Sequence, residues 1–207
     1  VQDPSARLAA MAAGAKPGMR VLDCCAAPGG KSFAAAIAMQ NEGSVTSCDI
    51  HAHKVSLIEK GAARLGVSIV HARQADASQF EPEFEAGFDV VIADVPCSGL
   101  GVIRKKPDIR YKDLAPMQKL PQVQAAILEN VSRYVKPGGV LVYSTCTVLK
   151  RENENVANAF LARHPEFRLE VFALPAGLDA QTDGMLTLYP HLHEADGFFI
   201  CKLRKNV

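Results

Sequence analysis

Two cysteines follow stretches of sequence that are typical of buried β-strands. Cys97 comes shortly after the run VVIAD at residues 90–94, and Cys146 comes directly after VLVYST at 140–145. Short apolar runs bounded by turn residues indicate central strands of a parallel sheet. Because ligands bind beyond the carboxyl ends of such strands, we expect the two thiols to converge on one ligand crevice.

A pair of thiols in a crevice suits chemistry at the C5 carbon of cytosine. Addition of a thiolate to C6 makes C5 able to attack an electrophilic methyl group, and removal of the C5 proton then lets the thiol leave. Asp94 precedes Cys97 and could hold the N3/N4 edge of the base. The alternative is that both cysteines are small buried hydrophobic residues, which is our interpretation of the other four: Cys24, Cys25, Cys48 and Cys201.

A loop of small residues follows the first predicted strand. Residues 25–32 read CAAPGGKS, and their last three match the second half of a phosphate-binding P-loop. The first glycine of that motif would fall at position 25, which is Cys25. A P-loop nucleotide triphosphatase stays open as an alternative, because residues 90–94 also resemble its magnesium-binding strand.

Three carboxylates end or follow successive predicted strands. Asp49 lies where a carboxylate accepts hydrogen bonds from ribose hydroxyls, Asp76 could meet the base of a cofactor, and Asp94 ends the next strand. Acids in this arrangement repel phosphates and favour a cationic sulfonium cofactor that carries a nucleoside. Each could instead cap the helix that follows it.

Strand and helix patterns alternate along the chain. We predict strands at 20–25, 44–49, 67–71, 88–94 and 140–144, and helices at 30–39, 53–65, 122–135 and 152–163. A long irregular stretch covers 96–116, a turn covers 136–139, and two or three strands follow residue 167. Strands separated by helices predict an α/β, doubly wound, mostly parallel sheet, with the last strands as an antiparallel hairpin at one edge.

Composition bounds the possible settings. Lys+Arg 23 and Asp+Glu 22 leave a net charge of +1, so no global field favours a polyanionic partner. No apolar run approaches the roughly 18 residues of a membrane span, so we expect no membrane partner. The six cysteines lack a disulfide-scaffold spacing, which favours a reducing, cytoplasmic setting. Histidine pairs at 51/53 and 191/193 lack the accompanying zinc-binding elements, so we expect no metal.

Four motifs in order resemble the Sun (Fmu) family of RNA cytosine-5 methyltransferases. They are DCCAAPGGKS at 23–32, DVPCSG at 94–99, STCT at 144–147 and DGFF at 196–199. The resemblance covers essentially the whole chain. It implies a Rossmann-like class I methyltransferase fold with a seven-stranded sheet, and S-adenosylmethionine as the cofactor.

The resemblance also implies roles for individual residues. Cys146 becomes the nucleophile on cytosine C6, and Cys97 becomes the residue that assists proton removal and product release. Residue types alone cannot rank these two thiols, because in DNA cytosine-5 methyltransferases the Pro-Cys cysteine is the nucleophile. The cofactor is placed against Cys25, Ala26, Ala27, Pro28, Gly29, Gly30, Lys31, Asp49, Asp76 and Asp94.

The segment 101–112 is most similar to bacterial enzymes that modify small-subunit ribosomal RNA. It contains five cations and a tyrosine, which suits phosphate contacts beside a base that is splayed out to react: Arg104, Lys105, Lys106, Arg110, Tyr111 and Lys112. A solvated loop, a transfer RNA substrate and a catalytically silent RNA-binding module remain alternatives.

The chain opens on Val1 at a helix start, with Asp3 as N-cap and Pro4 in the first turn. The N-terminal RNA-binding modules usual in the family have no counterpart here. We therefore expect residues 1–207 to form a single, monomeric catalytic domain taken from a longer protein.

Overall fold

A mixed β-sheet forms the centre of the molecule. The computed structural model describes residues 3–113, 115–176, 178, 180 and 182–207. Strand bounds are β1 Arg20–Asp23, β2 Ser44–Asp49, β3 Val70–Gln74, β4 Phe88–Asp94, β5 Val135–Thr145, β6 Phe167–Leu169, β7 Met185–Leu188 and β8 Phe198–Lys205. Their order is β3-β2-β1-β4-β5-β8-β6, and β7 also pairs with β8.

The two halves of the sheet differ in strand direction. Strands β1 to β5 pair in parallel, whereas β8 runs antiparallel to β5, β6 and β7. Since β6 and β7 pair with successive parts of β8, eight strands occupy seven positions. The predicted Rossmann-like α/β fold with an antiparallel C-terminal hairpin is confirmed.

Helices cover both faces of the sheet. Their bounds are α1 Pro4–Ala13, α2 Gly30–Ala38, α3 Ala52–Leu65, α4 Leu120–Ser132, α5 Glu154–Arg163 and the short α6 Pro190–His193. Helices α1, α2 and α3 contribute to one apolar cluster, and α4 and α5 contribute to a second. At the start of α1, Asp3 accepts a hydrogen bond from the Ser5 backbone N–H, as the predicted N-cap requires.

The middle parts of the central strands β4 and β5, residues 90–93 and 140–143, form continuous apolar runs that are buried on both faces. Along β4, Val90 and Ile92 belong to the cluster under α1–α3, while Val91 and Ala93 belong to the cluster under α4 and α5. The same alternation holds along β5. Alternating residues of a strand point to opposite faces, so a continuous apolar run is the pattern of a strand packed on both sides.

Two predicted boundaries were wrong for identifiable reasons. β3 begins at Val70 rather than at 67, because Val67 and Ile69 are buried beside the left-handed C-cap of α3 at Gly66 and supply apolar packing before pairing begins. The predicted turn at 136–139 lies inside β5 as an irregularity, since Val135 pairs with Phe88 and the regular register resumes at Val140.

The predicted irregular stretch after β4 contains three short 3₁₀ helices. They cover Leu100–Arg104, Pro107–Tyr111 and Ala115–Lys119, and position 114 lies outside the described residues. Among the described helices, none is both long and apolar enough to cross a membrane.

Candidate active site

The carboxyl ends of β4 and β5 bring the two predicted thiols together. These strands pair in parallel with Asp94 opposite Ser144, so Cys97 and Cys146 leave the sheet side by side. Their Sγ atoms are 3.1 Å apart, and the backbone N–H of Cys146 donates to the sulfur of Cys97 over 3.2 Å. Both side chains are half-buried, which leaves them accessible from the crevice.

The two thiols are not equivalent. The hydrogen bond from Cys97 lowers the pKa of Cys146 against the opposing effects of burial and of the Asp94 charge, and Lys31 adds a smaller lowering effect. The same hydrogen bond, together with burial, raises the pKa of Cys97. Cys146 is therefore the more acidic thiol of the pair and Cys97 the one that retains its proton more strongly, which is the polarity that a nucleophile and its proton-carrying partner require.

Lys31 and Asp94 form a partly buried ion pair beside the thiols. Lys31 Nζ lies 2.6 Å from Asp94 Oδ2, and Ser144 Oγ donates to Asp94 Oδ1 over 2.7 Å. The ammonium group also lies 5.3 Å from the centre of the Phe198 ring. The sequence predicts Lys31 only as a cofactor contact. The structure shows in addition that Lys31 pairs with Asp94, which the spacing of the motifs does not indicate.

The glycine loop lies between β1 and α2, and its backbone packs closely against neighbouring groups. The Ala26 N–H donates to the Cys48 carbonyl over 2.7 Å, which ties the loop to the end of β2. Gly29 has φ +108°, and a Cβ atom there would lie 2.3 Å from the Phe33 ring. Only glycine fits this combination of backbone and contact. Burial raises the pKa of the Cys25 thiol, so this cysteine is held neutral.

The two remaining predicted carboxylates stabilise local turns with one oxygen each. Asp49 Oδ1 accepts the His51 N–H over 3.0 Å at the start of α3. Asp76 Oδ1 accepts both the N–H and the hydroxyl of Ser78. The capping alternative was wrong for both residues, because the N-cap of α3 is His51 and Asp76 is followed by a turn rather than a helix. Both contacts use Oδ1, so a second carboxylate oxygen remains for a ligand.

Asp23 belongs to the first of the four motifs, but the sequence alone predicted no role for it. It ends β1 and is fully buried, and its Oδ2 accepts the Ser32 hydroxyl over 2.7 Å. Its Oδ1 has no partner among the described residues. Burial raises its pKa to about 6, with a smaller contribution from Asp94. An acid at a strand end within a glycine-loop motif is the signal that could have identified it.

The cationic segment 104–112 is only partly free to bind a ligand. Lys105 lies 2.5 Å from Asp3 and 2.9 Å from Asp196, and Lys112 donates to the Ser98 carbonyl beside Cys97 over 3.0 Å. The other three cations, Arg104, Lys106 and Arg110, are exposed. Arg110 lies over the ring of Tyr111, which is 77% exposed. Within the described part of the chain, no group of three His, Cys, Asp or Glu residues could hold a metal ion.

A Rossmann-like sheet with thiols, carboxylates and a glycine loop at its carboxyl edge defines a class I methyltransferase fold. The structure of NSun6 from Pyrococcus horikoshii with SFG superposes with a TM-score of 0.86 at 30% identity, covering 99% of this chain and 52% of that chain. The chain belongs to the family described as 16S rRNA methyltransferase RsmB/F, which matches residues 10–204. Membership in this family favours a methyltransferase over the P-loop alternative.

Curated relatives support the same family. The chain is 46% identical over 213 residues to the probable ribosomal RNA small subunit methyltransferase B of Bacillus subtilis (strain 168), covering all of this chain and 47% of that protein. It is 35% identical to ribosomal RNA small subunit methyltransferase F of Escherichia coli O9:H4, covering all of this chain and 44% of that protein. The chain thus spans about half the length of these relatives.

We expect iodoacetamide at pH 7 to label Cys146 before Cys97, because only Cys146 is favoured as a thiolate. Cys97→Ala removes the hydrogen-bond donor and should slow labelling of Cys146 roughly three- to tenfold, since one pKa unit changes the thiolate fraction about tenfold. Peptide mass spectrometry locates the label, and Cys201→Ala, a buried cysteine in β8, is the matched control. Faster labelling of Cys97 in the wild-type protein would contradict this order.

Asp23 should make stability fall as pH rises. Its folded pKa of about 6 exceeds the usual value of 3.8, so the folded state binds more protons than the unfolded state between these two values. Asp23→Asn removes this effect. The gain is the rise, from pH 4 to pH 7.5, in the unfolding free energy of the variant relative to that of the wild type, and it should be roughly 2–3 kcal/mol. Urea unfolding at both pH values measures the gain. The control Asp108→Asn replaces an exposed acid and should show no such gain. An equal gain in this control would contradict the assignment of the pH dependence to Asp23.

Proposed function

We propose that this chain catalyses the S-adenosylmethionine-dependent methylation of cytosine C5 in RNA, with 16S ribosomal RNA as substrate. The observation that carries the proposal is the pair of thiols 3.1 Å apart, one favoured as thiolate and one holding a proton. The named activity of the Bacillus subtilis and Escherichia coli relatives supports ribosomal RNA as the substrate. A cytoplasmic location and a single monomeric catalytic domain over residues 1–207 are part of the same proposal.

The residues at the strand ends fit S-adenosylmethionine, which supplies an electrophilic methyl group when it is bound. The backbone of residues 25–31, tied to β2 through Ala26, is suited to the close approach of a ligand. The second oxygens of Asp49 and Asp76 are suited to the ribose hydroxyls and the base. Asp23 Oδ1, buried without a partner in the described part of the chain, is suited to a donor such as an ammonium group.

The two thiols divide the work on cytosine. The Cys146 thiolate adds to C6, and the electron pair displaced from the C5–C6 double bond makes C5 nucleophilic toward the methyl group. Once Cys146 is bound to carbon, Cys97 gives up its own proton to solvent. After methylation the Cys97 thiolate accepts the C5 proton and so assists its removal. The C5–C6 double bond then re-forms as the bond between Cys146 and C6 breaks, which releases methylated RNA.

Asp94 and Lys31 serve the base and the nucleophile. The Asp94 carboxylate holds the N3/N4 edge of cytosine, where a proton is needed as the adduct forms. In this structure both of its oxygens accept hydrogen bonds, from Lys31 and Ser144, so base binding uses their remaining acceptor capacity. The Lys31 ammonium favours the negative charge on Cys146.

The segment 104–112 contacts the RNA through its exposed members. Arg104, Lys106 and Arg110 are free for phosphates, and the exposed ring of Tyr111 is available for stacking on a base. Lys105 and Lys112 instead anchor the segment, to Asp3 and Asp196 and to the carbonyl beside Cys97.

Trapping of the covalent adduct tests the proposed chemistry. With RNA and cofactor, Cys97→Ala should accumulate a protein–RNA adduct on a denaturing gel, because Cys146 adds to the base but release is impaired. Cys146→Ala should form no adduct, and its methyl transfer should fall to background. Cys201→Ala, with the same substitution in β8, should methylate normally.

The same assay separates the alternatives. Parallel reactions with 16S ribosomal RNA and transfer RNA identify the substrate, and nuclease digestion with mass spectrometry identifies the methylated atom. An adduct formed by Cys146→Ala and absent in Cys97→Ala would reverse the two roles. Binding of S-adenosylhomocysteine and RNA with equal failure of the wild type and Cys146→Ala to transfer methyl groups would favour a silent RNA-binding module.

Replacement of an exposed cation in segment 104–112 should weaken RNA binding in a salt-dependent manner. Arg104→Ala, Lys106→Ala and Arg110→Ala should each reduce the slope of log K against log salt by about 0.7 if one phosphate contact with single-stranded RNA is lost. Arg64→Ala, at an exposed cation in the last turn of α3, the helix that packs beside β2 and β3, is the control. Unchanged slopes in all three variants would remove this segment from the RNA interface.

A further inference from the structure

We propose that the adjacent residues Glu152 and Asn153 are positioning residues that set the separation of the two thiols. Asn153 forms hydrogen bonds with the residues on both sides of Cys146. Glu152 does the same around Cys97, on one side directly and on the other through Gln124. The inference rests on the proposed function for its catalytic meaning, but the contacts that carry it belong to the protein alone.

Asn153 holds the two threonines that flank Cys146. The Thr145 hydroxyl donates to Asn153 Oδ1 over 2.6 Å, and Asn153 Nδ2 donates to the Thr147 carbonyl over 3.0 Å. All three side chains are fully buried. An amide supplies one acceptor and one donor in a single plane, so this side chain bridges positions 145 and 147 across the nucleophile.

Glu152 holds the residues that flank Cys97 in the corresponding way. Its Oε2 accepts the Ser98 N–H over 2.8 Å and a hydrogen bond from Gln124 Nε2 over 3.0 Å. Gln124 Nε2 also donates to the Pro96 carbonyl over 3.0 Å. Thus Glu152 binds position 98 directly and position 96 through Gln124, with Cys97 between them.

The two clamps share one short piece of backbone. Because Glu152 and Asn153 are consecutive, any movement of one cysteine loop relative to the other must distort the same peptide. That peptide is tied to β5, since the Tyr143 hydroxyl donates to the Glu152 carbonyl over 2.5 Å. Ser98 and Thr147 also share a hydrogen bond of 2.8 Å between their hydroxyls, which joins the two loops directly.

The chemistry of Glu152 indicates more than general stabilisation of the fold. It is fully buried, and among the described residues it forms no ion pair and its Oε1 has no hydrogen-bond partner. Burial of a carboxylate without a cation is costly, and an apolar side chain of similar size would avoid that cost. A carboxylate in this place is explained by the need to hold Ser98 and Gln124.

The pH dependence of Cys146 alkylation by iodoacetamide tests this role. The titratable groups that face Cys146 are Cys97, Asp94 and Lys31, and only the contact with Cys97 depends on the clamps. Glu152→Leu and Asn153→Leu should raise the alkylation midpoint toward that of Cys97→Ala, with labelling at pH 7 slowed about three- to tenfold. Glu152→Gln keeps an acceptor for Ser98 and should stay near the wild type.

The control is Asn130→Leu. Asn130 is a buried asparagine that donates to the carbonyls of Ala77 and Gln79, away from both cysteine loops. Its midpoint should equal that of the wild type, although its melting temperature falls. If Glu152→Leu or Asn153→Leu does not fold, Gln124→Leu removes two hydrogen bonds of the Glu152 clamp and Thr145→Val removes one of the Asn153 clamp, and both should shift the midpoint in the same direction.

An unchanged midpoint in the folded clamp variants, with a raised midpoint in Cys97→Ala, would overturn the inference. The assay contains neither RNA nor cofactor, so its outcome stays separate from that of the proposed function. A wild-type protein with coupled thiols that transfers no methyl group would refute the function and leave the clamps intact. If the wild-type protein transfers methyl groups but every clamp variant keeps the wild-type midpoint, the proposed function stands and the role of the clamps is refuted.

Discussion

The parallel pairing of β4 with β5 is the constraint on which the site depends. Its register sets Asp94 opposite Ser144, and the chain then needs only a few residues to bring Cys97 and Cys146 within 3.1 Å of each other. Both strands are buried on both faces, so a shift of one residue would turn their apolar side chains to the wrong layer. The packing of the core therefore also sets the position of the two thiols.

Proximity alone would not differentiate two identical side chains. The asymmetry arises because one proton is shared in a partly buried pair and the surroundings decide which sulfur keeps it. The hydrogen bond between the two thiols and the Lys31 ammonium favour charge on Cys146, whereas the backbone N–H of Cys146, which donates to the Cys97 sulfur, favours charge on Cys97. Asp94 works in the opposite direction on Cys146, and its pairing with Lys31 limits that effect.

The buried polar groups around the cysteine loops form a continuous hydrogen-bonded layer on the α4 and α5 side of the site. Gln124 comes from α4, and Glu152 and Asn153 precede or begin α5, so two helices that cover the sheet also support the loops beyond it. Directional hydrogen bonds of this kind specify one arrangement more strictly than apolar packing does, although Oε1 of Glu152 and Oε1 of Gln124 lack a partner among the described residues. The segment 104–112 is joined to the same layer through Lys112 and the Ser98 carbonyl.

The sequence by itself determined the α/β fold, most element boundaries and the meeting of the two thiols, because these follow from local periodicity and from the rule that parallel strands end at one edge. It misplaced β3, since the apolar residues Val67 and Ile69 pack beside a helix cap rather than in a strand. Only the tertiary structure decided which thiol is the more acidic, that Lys31 pairs with Asp94, and that Glu152 and Asn153 are hydrogen-bonded to the cysteine loops. It also decided that Asp23 is buried with one oxygen that lacks a partner among the described residues. These properties depend on distances between residues far apart in the chain and on the burial of individual atoms, and neither quantity is encoded in the spacing of residues along a strand or a motif.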